Sequence, residues 1–361
     1  FAVSWEIPAV ANGLKIAKTK SIDIIYTTVL PNSSAFIGLI LKKLLNKPWV
    51  VDFRDPWTQY LMLEWPTYLH FKLEELMELM VLRTADKVIA NTPTSRSDLL
   101  KKFNSICESK VHVITNGFDS QNFHPLSEKC EDSKFTIVYT GSIYTKSEGV
   151  KIHSRMNLKH FARKILESLR YCPHEVDFST RSPQYFLEAL SILIKEKPEL
   201  RNHIQVLIAG SNQNQAQSYI DNLGLKSVVT LLGYIPHARI INLLQSSDLL
   251  LLLLWSHKER IACVPMKLYE YLAVEKPILG LLPPGDAKDF LSQSGVGIAC
   301  EPKDVHQIKE TIWRLYQEHI TGGIRINPNS DFIMQFERKA LTHKLASVFD
   351  ELTEDKDESK T

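Results

Sequence analysis

The chain has 361 residues, 44% of them hydrophobic and 23% charged, which is ordinary for a globular protein and sufficient for two domains. A net charge of +2 gives no reason to expect a nucleic acid or a strongly acidic partner. The five cysteines are odd in number, lie far apart and form no CxxC pair, so we expect reduced thiols in a cytoplasmic setting, without a zinc site. No apolar run reaches the roughly 18 to 20 residues that span a bilayer.

Predicted strands and helices alternate from the start of the chain to about residue 117. The strands are nearly continuous hydrophobic runs, as a parallel sheet covered on both faces requires. We predict strands at 22–28, 48–55, 85–92 and 110–117, and helices at 33–45, 68–83 and 95–103. Residues 118–134 are polar and contain one proline, which is typical of a linker. The predicted first domain therefore spans residues 1–128.

A second alternating series fills most of the remaining chain and predicts a second domain at residues 129–330. We predict its strands at 135–142, 203–210, 228–235, 248–255, 276–282 and 296–300, and its helices at 183–196, 213–223, 238–246, 286–294 and 305–319, with a further helix opening at Pro265. A last helix at 331–352 is expected to return to the first domain, and residues 353–361 to form a disordered tail. The predicted fold is α/β, with two doubly wound Rossmann-like domains facing one cleft.

Residues 145–180 interrupt this alternation and are rich in lysine, arginine and histidine. Within them, residues 156–171 place apolar side chains on one face of a predicted helix and basic side chains on the remainder. The preferred interpretation is an inserted helix that packs on its own domain. The alternative is peripheral contact with an anionic membrane, at its inner face.

Ligands of open parallel sheets bind beyond the carboxyl ends of the strands, so the residues there are candidates for a binding site. In the second domain they include three glycines, beside which a ligand is able to approach the backbone closely. These strand-end candidates are Gly141, Ser142, Gly210, Gly233, Tyr234 and Ile235. Because no GxGxxG pattern is present, a dinucleotide is not indicated.

The helix that opens at Pro265 carries a cation in its first turn, where the helix dipole is unfavourable for it. Lys267 is followed three residues later by Glu270, and the simplest interpretation is a surface ion pair. The alternative is an anionic ligand above the helix start, beside Met266, Lys267 and Leu268. Lys267, Arg181 and the helix amides would then bind a diphosphate without a metal, and Glu270 would accept hydrogen bonds from a ribose diol.

DFRDPW, residues 52–57, places Asp52, Arg54 and Asp55 at the end of a first-domain strand. We consider two interpretations equally: a direct role at a ligand, or a buried ion network that holds the loop. NGFD, residues 116–119, has the composition of a turn and is assigned a structural role.

Together these motifs resemble the retaining family 4 glycosyltransferases of the GT-B fold. The resemblance rests on DFRDPW, ADKVIANT, VITNGFD, FTIVYTGSIY, RSPQYFLEAL and PMKLYEYLAVEKPIL, in that order, and covers most of the chain outside the insertion and the tail. It implies a nucleotide-sugar donor bound mainly by the second domain, and a glycan or lipid-linked acceptor bound mainly by the first. Transfer would retain the anomeric configuration and need no obligatory metal or other cofactor.

By position, the resemblance gives Glu270 the role of the ribose-binding glutamate and Arg181 that of the arginine at the diphosphate. It places Gly233 to Ile235 at the base, and Asp52 and Asp55 at the strand end that faces the reacting sugar. The sequence departs from the family at Ala262, where many members have a glutamate; Glu259 lies nearby. The family's opening strand and glycine-rich loop are also missing before Phe1, so we expect an incomplete first domain. A non-catalytic homologue that acts as a binding or scaffold module is therefore the alternative function.

Overall fold

The computed structural model describes residues 5–123, 134–141, 169–174, 176–211 and 214–358, which form two compact units. The first unit comprises residues 5–116, 169–174 and 339–358, and the second comprises the other described residues. The chain passes from the first unit to the second between Asn116 and Gly117, before the boundary predicted after residue 128. Ser142 and residues 145–168 of the predicted insertion lie outside the described part.

The first unit is a parallel sheet of four strands in the order β1-β2-β3-β4. The strands are β1 (Ile25–Val29), β2 (Trp49–Phe53), β3 (Lys87–Ala90) and β4 (Val111–Val113). Helix α1 (Glu6–Thr19) precedes β1. Three helices connect successive strands: α2 (Ser34–Leu45), α3 (Tyr68–Thr84) and α4 (Pro93–Lys102). Only α1 was not predicted. None of its residues is buried.

The second unit is a parallel sheet of six strands in the order β10-β9-β8-β5-β6-β7. The strands are β5 (Phe135–Thr140), β6 (Ile204–Ala209), β7 (Val229–Gly233), β8 (Leu249–Leu253), β9 (Ile278–Leu281) and β10 (Gly297–Cys300). The helices are α5 (Gln184–Glu196), α6 (Asn214–Asn222), α7 (His237–Ser246), α8 (Met266–Val274), α9 (Asp286–Gln293), α10 (Val305–Ile320) and α11 (Ser330–Met334). The five leucines of β8 are all buried, which explains their uninterrupted run in the sequence.

The end of the chain differs from the single helix predicted at 331–352. The structure has α11, a break, and then α12 (Arg338–Glu358). At the break the Phe118 N–H donates to the Phe336 carbonyl at 3.0 Å, and the Arg338 N–H donates to the Phe118 carbonyl at 2.9 Å. The NGFD segment therefore has structural contacts of its own.

Helix α12 packs on the first unit through Leu341 and Val348, which join a cluster with Val50 and Ile89. It continues to Glu358, so the predicted disordered tail is helical over 353–358. Among the helices of the described residues, none is long and apolar enough to cross a membrane. The two parallel sheets with their covering helices confirm the predicted α/β fold with two doubly wound units.

Candidate functional site

Lys267 is the central side chain of the candidate site in the second unit. It is the second residue of α8, and its ammonium group donates to the Thr140 carbonyl, at the end of β5, over 3.0 Å. The same group lies 4.5 Å from the centre of the Tyr139 ring. Burial, with a smaller contribution from the nearby charge of Arg181, lowers the pKa of Lys267 to about 7. Two cations are thus held together at the end of a strand.

Gly141 makes this close arrangement possible. It has a φ of +155°, and a Cβ atom there would lie 2.7 Å from the Tyr139 hydroxyl and 3.1 Å from the Lys267 ammonium nitrogen. Any side chain would displace one of the two groups. The sequence indicated Gly141 as a point of close backbone approach, but it gave no sign that the approaching group includes a lysine of the same unit.

The start of α8 adds unsatisfied donors to these cations. Pro265 is its N-cap residue, and no side chain caps the first turn. The amide groups of an uncapped helix start and the positive end of the helix dipole both favour an anion. Because Lys267 bonds to a neutral carbonyl and has no ion pair with a carboxylate of the described residues, the cluster is suited to a phosphate group.

Glu270 lies one turn further along α8. One of its oxygens is 2.8 Å from Nε2 of His237, the first residue of α7. The Glu270 side chain is 28% exposed and that of His237 59%, so the carboxylate lies at the surface of the unit and not in its interior. Glu270 therefore does not pair with Lys267, and the surface ion pair is not formed. A carboxylate that accepts one bond from His237 keeps lone pairs on both oxygens for hydroxyl donors.

The remaining predicted donor contacts fall into three groups. Gly210 and Gly233 lie at neighbouring strand ends, where the Gly210 N–H donates to the Gly233 carbonyl at 2.8 Å, and space is open beside the Gly233 Cα. Tyr234 and Met266 are exposed, and Ile235 is half-buried. Leu268 is excluded as a contact of the donor, because its side chain is fully buried and its N–H donates to the Pro265 carbonyl.

Two side chains of this site escaped the sequence analysis: Tyr139 and His237. Tyr139 is buried at the end of β5 and supports the Lys267 ammonium through its ring face. His237 lies 33 residues before Glu270 in the sequence and meets it only through the packing of α7 beside α8. Glu259, named as a neighbour of the family-atypical Ala262, is exposed, and its N–H donates to Nδ1 of His257.

In the first unit, Asp52 and Arg54 form an ion network that is satisfied internally. Nε of Arg54 donates to Asp52 at 2.8 Å, its Nη2 donates to the Ile114 carbonyl at 2.8 Å, and its Nη1 donates to the Asn116 side chain at 3.3 Å. The hydroxyl of Tyr26 donates to the second oxygen of Asp52. Burial raises the pKa of Asp52, and it raises that of Tyr26 to about 12 with help from the Asp52 charge.

This arrangement supports the ion-network interpretation of DFRDPW for Asp52 and Arg54. Both oxygens of Asp52 are engaged within the unit and its side chain is buried, so a catalytic role for the pair is not supported. Asp55 is half-buried, and burial raises its pKa. Of the three predicted catalytic residues, Asp55 alone keeps a carboxylate without a hydrogen-bond donor among the described residues.

The second unit thus has a cation cluster and a surface carboxylate at the carboxyl end of β5 and along α8. Comparison with known families agrees with the resemblance found in the sequence. Residues 3–122 match the model of "Glycosyltransferase Family 4", and residues 178–321 match that of "Glycosyl transferases group 1". These matches together cover most of the chain, which belongs to the GT-B glycosyltransferases of group 1.

Individual relatives are distant. A mannosylfructose-phosphate synthase of Agrobacterium fabrum is 23% identical over 194 residues, which are 51% of this chain and 36% of that enzyme. The chain thus spans about a third of this relative. Among solved structures, Anabaena Alr3699/HepE in complex with UDP gives a TM-score of 0.60 at 17% identity, covering 95% of this chain and 82% of that one. A sucrose-phosphate synthase of Thermosynechococcus elongatus gives 0.58 at 13%, covering 95% and 77%.

Proposed function

We propose that the chain transfers a sugar from a nucleoside diphosphate sugar to a glycan or lipid-linked acceptor, and that its second unit binds the donor. The observation that carries the proposal is that Lys267 lies at the uncapped start of α8, near the charge of Arg181, with Glu270 one turn further along the helix. A diphosphate complements the cations and the amides, and a ribose diol complements the carboxylate.

The chemistry follows from where charge develops. When the sugar leaves, the nucleoside diphosphate gains negative charge, and fixed cations and amides aimed at it stabilise the transition state. The family resemblance supports retention of the anomeric configuration and transfer without an obligatory metal. Lys267, Arg181 and the amides at the start of α8 are donors that are able to hold the leaving group.

The donor is tested by titration calorimetry of the full chain with UDP, GDP and their 2′-deoxy forms. We expect one of the two ribonucleotides to bind, and Glu270→Ala to weaken it about tenfold to 100-fold, because hydrogen bonds to a charged group are lost. Glu270→Ala should also abolish any preference for the ribonucleotide over its 2′-deoxy form. Glu275→Gln removes a carboxylate at the other end of α8 and serves as the matched control.

Ala262 favours a second candidate function, a binding module without catalysis, because the family's glutamate is absent there. The two functions differ in turnover. Release of nucleoside diphosphate from the donor that binds, followed over time with and without a glycan acceptor, supports the transferase. Tight binding of the donor without any turnover supports the module.

A further inference from the structure

Helix α3 presents an apolar face to solvent. Five of its side chains are between 37% and 66% exposed and repeat at helical spacing along more than three turns. We call this set the outward face of α3; it consists of Leu69, Leu73, Leu76, Met77 and Met80. From its first to its last residue it extends about 16 Å along the helix axis. No comparable row of exposed leucine and methionine occurs on another helix of the described residues.

The other side of α3 is also apolar and already covered. Phe71, Val81 and Leu82 are buried in the core of the first unit. A surface helix ordinarily has one apolar stripe and an opposite polar face. Because α3 has two apolar faces, the packing of the described residues of the unit does not explain its outward face.

The acidic residues of α3 are turned away from the outward face. Glu74 accepts from the Trp57 indole at 2.9 Å, and Glu78 accepts from the Thr58 N–H at 3.2 Å, so both point toward the loop that follows β2. Glu75 pairs with Lys102 of α4 at 3.1 Å. The three carboxylates therefore lie on the protein side of the helix.

Basic residues border the outward face. At about 100° per residue, Lys72 and Arg83 lie along one border and His70 along the other. Lys72 and Arg83 are at the surface, and Lys72 contacts Glu75 from the outer side at 2.5 Å. Leucine and methionine beside a border of two cations, with the carboxylates turned inward, are the pattern of a helix that lies in the plane of a membrane surface.

We propose that the outward face of α3 binds an anionic lipid surface, with the apolar side chains inserted between headgroups and the basic borders facing the lipid phosphates. This proposal places membrane contact on α3, outside the basic insertion for which the sequence analysis gave membrane contact as the alternative interpretation. The interaction does not depend on the proposed transfer reaction. If that reaction is correct, the contact also brings a lipid-linked acceptor near the first unit, because Trp57 and Thr58 fasten α3 to the loop after β2.

The test is co-sedimentation of the full chain with phosphatidylcholine vesicles, with and without phosphatidylglycerol. We expect the Leu73→Gln/Leu76→Gln variant to lose binding to the anionic vesicles about tenfold or more, since two inserted leucines are removed. Glutamine keeps the helix propensity of leucine, and circular dichroism checks that the fold is kept. Ile192→Gln/Ile320→Gln is the matched control, because it changes two apolar residues that are 40% and 60% exposed on helices of the second unit.

Two further variants separate the sources of binding. Lys72→Gln/Arg83→Gln should reduce the preference for anionic over neutral vesicles and its dependence on salt. Lys159→Gln/Arg163→Gln/Lys164→Gln, in the predicted basic insertion, should change binding less than the leucine variant does.

The proposal is overturned by any of three results. The first is anionic-vesicle binding by the leucine variant that equals that of the control. The second is a loss of binding that follows the insertion variant and not α3. The third is that the chain does not bind vesicles but self-associates, as measured by light scattering, and that the leucine variant abolishes this self-association. The outward face of α3 would then pair with a second copy of the chain.

Discussion

The charged cluster after β2 and the cation cluster at the start of α8 both follow a parallel strand, yet they are built in opposite ways. Around Asp52, opposite charges meet: Arg54 neutralises it, and Tyr26, Ile114 and other groups of the same unit complete the hydrogen bonds. Around Lys267, burial and, to a smaller extent, the like charge of Arg181 lower the pKa of the ammonium group. A carboxylate that its own unit neutralises holds the fold, whereas a lysine without a carboxylate partner among the described residues is suited to an anionic ligand.

The largest effect expected from this comparison is on stability. Asp52→Ala should lower the free energy of unfolding by about 3 kcal/mol, because it leaves the partly buried Arg54 without its carboxylate. The affinity of the Asp52→Ala variant for the nucleoside diphosphate should be unchanged. Urea unfolding and calorimetry measure the two quantities. Asp55→Ala, in the same loop but without a donor among the described residues, is the control and should be close to neutral. Normal stability of Asp52→Ala with loss of sugar transfer would instead make Asp52 a catalytic residue.

The converse change is Lys267→Met. We expect it to weaken nucleoside diphosphate binding about 100-fold, because a charged hydrogen-bond donor to the diphosphate is removed. The folded state should not lose stability, since methionine occupies a similar volume and relieves the repulsion from Arg181. Calorimetry and urea unfolding again provide the measurements. Unchanged affinity together with reduced stability would show that Lys267 supports the fold, and the two clusters would then not differ in kind.

The depressed pKa of Lys267 predicts a pH dependence of binding. In the free protein its ammonium loses its proton as the pH rises through about 7, and a bound diphosphate favours the protonated form. Affinity should therefore fall about tenfold between pH 7 and about pH 8.5 as binding comes to require proton uptake. Calorimetry in buffers of different ionisation enthalpy measures that uptake directly. Lys267→Met has no side-chain proton to gain, so it should bind the nucleoside diphosphate weakly and with an affinity that does not change with pH. If its affinity depended on pH as steeply as that of the parent chain, the titrating group would be another residue.

Much of this contrast was predictable from the sequence because it depends on strand ends. Nearly continuous apolar runs located the ten strands of the described residues to within a few residues. In a parallel sheet, the carboxyl ends of the strands indicate where ligands bind. That reasoning needs only the order of residues, and it placed Gly141, Lys267 and Glu270 at the site. It also proposed Leu268, which is wrong because the helix turns this side chain into the core.

The partners of these residues were not predictable, because they come from distant parts of the chain. Arg54 meets Asn116 across 62 positions, and Glu270 meets His237 across 33. No local pattern encodes either contact. Whether DFRDPW forms an internal ion network or contacts a ligand is therefore decided by the tertiary fold. The break between α11 and α12 has the same origin, since the pairing of Phe118 with the backbone there is a tertiary contact.

The smallest expected effect concerns Glu78, a buried carboxylate of the first unit that, unlike Asp52, has no ion pair among the described residues. Burial raises the pKa of Glu78 to about 7, and its partners are the Thr58 N–H and hydroxyl. The folded chain therefore holds a proton that the unfolded chain, with a pKa of 4.5, has released. The resulting stabilisation is complete below the unfolded value and is lost as the pH rises through about 7. Stability should fall by about 1 kcal/mol between about pH 6 and pH 8.

Glu78→Gln should flatten that fall, since glutamine cannot lose a proton and still accepts from the Thr58 N–H. Urea unfolding at several pH values measures it, with Glu75→Gln as the control on the same helix. Burial dominates at Glu78, whereas Lys72 and Lys102 lower the pKa of Glu75, so the control should keep the fall between pH 6 and pH 8. An equal fall in the parent chain and in Glu78→Gln would mean that Glu78 is ionised at neutral pH. In that case Lys102 compensates the buried charge, and Glu78 belongs with Asp52 among the neutralised carboxylates of the first unit.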